Sequence, residues 1–178
     1  MSSLISILTP SFGYGRFIDD CLDSVSMQND RMEHVVQDGG STDETVAKLE
    51  ARPGLLWESV PDRGQSDALN RALARSSGEW IGWLNADEFY LPGGPSLLLD
   101  RALSSNADVV FGDPIFVDES DAHLYTPADL TLSPGHHVVG LQKEGYAPAE
   151  LTWALVMAAL VLRARGQTPA AMTARLEE

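Results

Sequence analysis

Disulfide chemistry has almost no material to work with: Cys21 is the single cysteine in 178 residues, so no internal bridge can form and the chain must be held by packing. It sits among Phe17, Ile18, Leu22 and Val25 at helical spacing, which marks it as a small buried hydrophobe. A reducing, cytoplasmic setting is expected. Positive charge is also scarce. Twelve Lys and Arg face 26 Asp and Glu, a formal charge of -14. Such a chain repels a phosphate backbone and carries no basic stripe, which excludes nucleic acid as a partner. Any anion it binds must be screened locally, as a divalent cation would do. Long apolar runs are missing as well. The run from Leu151 to Leu162, broken by Thr152, falls short of the roughly 20 residues a membrane span requires. The amino terminus has no basic flank and apolar core of a signal peptide, since Leu4 to Leu8 is a strand-length run that meets Thr9-Pro10. What is present, 44% hydrophobic residues, is enough for one globular core.

The chain then reads as a repeated alternation. Leu4 to Leu8 is a buried-strand pattern, followed by a loop with Gly13-Tyr14-Gly15 and a helix from about Arg16 to Met27. His34 to Gln37 is a second strand, after which Ser41 and Glu44 form a capping box for a helix through about Arg52. Leu55 to Val60 is a third strand, with Ser66 as cap of a helix carrying Ala68, Leu69, Ala72 and Leu73. Trp80 to Leu84, a helix from Ser96 to Leu103, and a strand Asp108 to Phe111 complete the series. Alternating strands and helices predict a mostly parallel sheet covered on both faces, with ligands bound at the carboxyl ends of the strands. Those ends hold Thr9 to Ser11, Asp38 to Ser41, Asp62 to Gln65, Asn85 to Glu88 and Gly112-Asp113.

Four of these strand-end segments carry a resemblance in register. Val35 to Thr45, with Gln37-Asp38-Gly39-Gly40-Ser41-Thr42-Asp43, resembles the family 2 glycosyltransferase motif of hydrophobics followed by Asp-Asp-Gly-Ser-x-Asp. Ile5 to Phe12 is similar to that family's first strand and donor loop, and Asp62 to Asn70 to its third loop. Asn85-Ala86-Asp87-Glu88 stands where the family carries its Asp-x-Asp metal motif. The resemblance spans about Leu4 to Asp118. It implies a GT-A-type, Rossmann-like α/β fold with a nucleotide-sugar-binding core over residues 1–121 and a shortened acceptor-side region, 122–178. It also implies an inverting, metal-assisted transfer of a sugar from a UDP, dTDP or GDP donor to an acceptor hydroxyl.

By that resemblance Asp38 accepts a hydrogen bond from the base beside Gly39, over a floor of Thr9, Pro10 and Ser11. The alternative for Asp38 is a helix-entry carboxylate satisfied by backbone amides. Asp67 is assigned to donor contact and Arg63 to a phosphate, with a surface ion pair as the alternative for Arg63. Asp87, with Glu88 beside it, is the expected ligand of Mn2+ or Mg2+, which would neutralise the departing diphosphate. Asn85 and Ala86 line the same segment. Asn85 departs from the family pattern, being a neutral residue at the first acidic position.

Inverting transfer needs a general base for the acceptor hydroxyl. Glu150, at the start of an expected helix from Pro148 to Arg165, and Asp113 are the candidates. That helix is apolar nearly all round, which suits a homodimer or a peripheral partner at the inner face of the membrane. The adjacent His136 and His137 do not make a metal site, because no further Cys or His lies near them in sequence. Two rival readings stand beside the enzyme. One is a nucleotide-sugar-binding module that is catalytically incomplete and needs a partner chain. The other, a dinucleotide-dependent oxidoreductase, is disfavoured because Gly13-Tyr14-Gly15-Arg16-Phe17-Ile18 has no third glycine of the dinucleotide fingerprint.

Overall fold

A computed structural model describes residues 5–28, 32–105, 109–110, 112, 116–117, 123–125 and 160–163. Its elements run β1 (Ile5–Ser11), α1 (Ile18–Ser26), β2 (Met32–Asp38), α2 (Thr45–Glu50), β3 (Leu56–Ser59), α3 (Gln65–Arg75), β4 (Trp80–Trp83) and α4 (Gly94–Ser105). They are followed by β5 (Val109–Val110), β6 (Phe116–Val117), β7 (His123–Tyr125) and β8 (Leu160–Arg163). A six-stranded sheet has the order β3-β2-β1-β4-β8-β5, and β6 pairs with β7 in a separate antiparallel pair. The four strands β3, β2, β1 and β4 are parallel, as the alternation predicts.

Period-two side-chain direction divides the core. Ile5 and Ile7 of β1 pack on one face with Cys21, Val25, Trp80, Leu84 and Tyr90. Leu8, Val35 and Ile81 point the other way, against Leu69 and Ala72 of α3. Val36 joins Ile18, Leu22 and Leu49, bringing α1 and α2 onto the sheet. Helices therefore cover both faces, and Cys21 is fully buried as its spacing implied.

Three expectations are corrected. Leu160–Arg163, expected inside a helix from Pro148 to Arg165, is strand β8, antiparallel to both β4 and β5. An apolar run without clear periodicity suits a buried strand as well as a helix, and here sheet pairing decided. The docking face assigned to residues 148–165 loses its helical basis at those four positions, and 148–159 lie outside the described residues. The Ser41–Glu44 capping box does not form: Asp43 Oδ1 accepts the Thr45 amide at 3.0 Å and α2 starts there, while the Ser41 hydroxyl turns to Asp38. Ser66 does not cap α3, which begins one residue earlier, after Gly64 at φ 109°.

One part-buried pair gives the fold a pH dependence. Thr9 Oγ1 lies 2.8 Å from His34 Nε2, and burial lowers the His34 pKa to about 3. The ring is thus neutral when folded, whereas the unfolded chain binds a proton near pH 6.5. Between pH 7 and 5 the unfolded state takes up a proton that the folded state refuses, so stability should fall as the pH drops through that interval. Urea unfolding of the wild type and His34→Asn across it checks this. The variant should show a flatter dependence.

Candidate nucleotide-sugar site

The direction of strand addition reverses at β1: β2 and β3 build outward on one side, and β4 lies on the other. At such a switch point the loops after neighbouring strands splay apart and leave a crevice. Since β2 and β4 flank β1, their ends stand about 10 Å apart, twice the usual spacing between paired strands. Side-chain bonds tie these loops into one surface. Gly13 N donates to Ser41 Oγ (2.7 Å) and Gly15 N to Asp43 Oδ2 (2.9 Å), joining the β1 and β2 loops. Val60 N donates to Asp38 O (3.0 Å), joining β3 to β2, and Gln65 Nε2 donates to Asn85 Oδ1 (2.9 Å), joining α3 to the β4 loop.

Asp38 closes the end of β2 and is completely buried. Its carboxylate accepts from Gly40 N (3.0 Å), Ser41 N (2.8 Å), Ser59 Oγ (2.6 Å) and the Ser41 hydroxyl. Three of these four bonds fall on Oδ2, and the two backbone amides among them correspond to the helix-entry alternative. Thr9 and Pro10 are also buried in β1; the Thr9 hydroxyl faces His34 and Cys21 rather than the crevice. Ser11 differs. It ends β1, is 4% exposed, and its Oγ has no hydrogen-bond partner among the described residues. The next residue, Phe12, is 68% exposed.

Across the crevice, Asp67 holds Arg63 and Arg71 at 3.2 and 3.1 Å, and the Arg63 bond is the main cause that lowers its pKa. Asp67 is thereby committed to orienting two guanidinium groups. The Arg63 side chain, 88% exposed, retains a solvent-facing fork.

The β4 loop presents the acidic pair. Asp87 is exposed and Glu88 half-buried. The surrounding loop partly desolvates the Asp87 carboxyl and raises it, and burial pushes Glu88 up to about 7, with the Asp87 charge adding and bonds from Asn85 opposing. Asn85 donates to Glu88 from its backbone and side-chain nitrogens, both at 3.1 Å, and its Oδ1 accepts from Gln65 and from Trp83 Nε1. The amide is a strut between α3 and the acidic pair, which explains a neutral residue there. Ala86 is buried in the core. Tyr14 also reaches this corner: burial and then the charges of Asp87 and Glu88 raise its phenol pKa. Sequence reasoning did not single out Tyr14, Ser59 or Gln65, whose neighbours come from other loops. Among the described residues no group of three or more His, Cys, Asp or Glu is placed to hold a metal ion. Gly39 belongs to the β2 loop, while Asp113 and Glu150 lie outside the described residues.

The family described as glycosyl transferase family 2 matches residues 6–150. An uncharacterized glycosyltransferase of Mycobacterium tuberculosis is 38% identical over 112 residues, covering 59% of this chain and 42% of its own. A PGL/p-HBAD biosynthesis glycosyltransferase of Mycobacterium bovis is 31% identical over 120 residues, 63% of this chain and 47% of that one. The chain thus spans less than half the length of these relatives. Among solved structures, Staphylococcus aureus TarS 1-349 in complex with UDP-GlcNAc superposes with a TM-score of 0.54 at 23% identity, over 60% of this chain and 33% of that one. The fold is of the GT-A type. No helix among the described residues is long and apolar enough to cross a membrane.

Proposed function

The chain belongs to glycosyl transferase family 2, and from that premise we propose that it binds a nucleoside diphosphate sugar across the carboxyl ends of β1, β2 and β4 and transfers the sugar to an acceptor hydroxyl with inversion. The supporting observation is the placement of two unlike ends on one crevice. Beside β1 and β2 lie a buried hydroxyl with no partner among the described residues, Ser11, and an exposed ring, Phe12; beyond β4 lies the Asp87–Glu88 pair. An aromatic ring and a polar group suit a nucleoside, while an acidic pair suits a cation-bridged diphosphate.

The donor set fits Mn2+ or Mg2+. Two adjacent carboxylates, both raised by desolvation, offer hard oxygen ligands, and such cations take further ligands from phosphates and water. When bound, the cation supplies positive charge where the leaving diphosphate gains negative charge. Asp87 is the ligand and Glu88, braced by Asn85, its neighbour. Arg63, aimed by Asp67, meets a phosphate from the α3 side. Asp113 and Glu150 are the candidate bases for the acceptor hydroxyl.

Titration calorimetry with UDP, GDP and dTDP, with and without manganese, tests the reading. Micromolar binding of one of them, strengthened by the metal, is expected on the order of ten-fold or more; indifference to all three overturns it. Asn85 favours a second reading, a nucleotide-sugar-binding module, because its amide oxygen is engaged by Gln65 and Trp83 and is not free to act as a ligand. Donor binding without turnover on any acceptor would select that reading.

A further inference from the structure

Resting on the donor-binding reading above, we infer that Asp62, not Asp38, is the carboxylate that reads the base, and that the site selects bases presenting a ring N–H. Asp38 is completely buried and its carboxylate already accepts four hydrogen bonds, from its own loop and from Ser59. Asp62, in the β3 loop, uses Oδ1 to accept the Gly64 amide at 2.8 Å. Its Oδ2 is turned toward Gly39: a Cβ built on Gly39 would stand 3.0 Å from that oxygen and 3.3 Å from Phe12 Cδ2. The side chain missing at Gly39 therefore lets an acceptor oxygen and an exposed ring approach each other closely, at the end of the strand that pairs with β1. The buried Ser11 Oγ, unpaired among the described residues, lies one residue from Phe12 along the chain.

A carboxylate oxygen accepts and never donates when ionised. Uracil and thymine offer N3–H, and guanine offers N1–H, to such an oxygen while the ring lies on Phe12. Cytosine and adenine turn a lone pair to it at the corresponding ring nitrogen, and two acceptors repel. Asp62 thus favours uridine, thymidine or guanosine diphosphates over cytidine or adenosine diphosphates.

The test compares the matched pairs UDP with CDP and GDP with ADP, by calorimetry on the full chain with manganese. The wild type should prefer UDP to CDP, or GDP to ADP, by about ten-fold or more, the effect of one well-placed hydrogen bond. Asp62→Asn keeps an oxygen for Gly64 N and puts an N–H where the acceptor was, so the ratio should fall about ten-fold, with CDP or ADP gaining absolutely. Gly39→Ala crowds Asp62 Oδ2 without removing it and should move the ratio the same way, which covers any folding defect in the first variant. A wild type that binds but does not discriminate, or ratios unmoved in both variants, overturns this inference and leaves the donor-binding reading standing. A wild type that binds none of the four overturns both.

Discussion

Asp87→Asn should remove the strengthening of nucleotide binding by manganese and slow sugar transfer by about 10²–10³-fold, the loss typical when one preorganised charge-stabilising group is deleted from a reacting centre. The substitution keeps volume and polarity and removes only charge, and because Asp87 is exposed the fold should not feel it. It also relieves the charge that helps raise Glu88. Calorimetry with and without manganese, set beside the transfer rate at saturating donor, separates the two effects. Metal-dependent binding that survives in the variant would move the cation away from the β4 loop and remove the physical basis of the proposed donor pose.

Asp38→Ala should be the most damaging single change to the fold among the site positions, lowering stability by about 3 kcal/mol. The loss arises because Gly40 N, Ser41 N and Ser59 Oγ would each be left without the acceptor they now share. In a domain of this size that corresponds to a melting temperature lower by on the order of 10 °C. Below the melting transition the UDP-to-CDP or GDP-to-ADP ratio should be close to that of the wild type. The opposite outcome, an unchanged melting temperature with lost base selection, would return the reading role to Asp38.

Much of this was legible along the chain. The strand–loop–helix units from β1 to α4 appear close to their expected limits, because each is set by local pattern: Ile5, Ile7 and Leu8 make a short apolar run of strand length, and Ala68, Leu69 and Ala72 recur at helical spacing. The strand-end segments, and with them Asp87 and Glu88, followed from the same alternation. Four things did not follow. β8 is chosen by pairing with β4 and β5 from far along the chain. Asp38 was legible as a strand-end acid, but one of the hydrogen bonds that hold it comes from Ser59, 21 residues away. The close approach at Gly39 needs Asp62 and Phe12, from two other loops. Asn85 read as a weakened metal ligand and proves to be a strut, because Gln65 arrives from α3.

By itself, then, the order of residues determined which segments from β1 to α4 become strands and helices and which polar groups stand at the strand ends; these rest on backbone preference and side-chain periodicity within a few residues. Tertiary structure alone decided which of those polar groups are satisfied by neighbours and which face the crevice. A hydrogen-bond acceptor cannot be assigned to a ligand until every donor within reach has been placed, and those donors arrive from strands that meet only in the folded sheet.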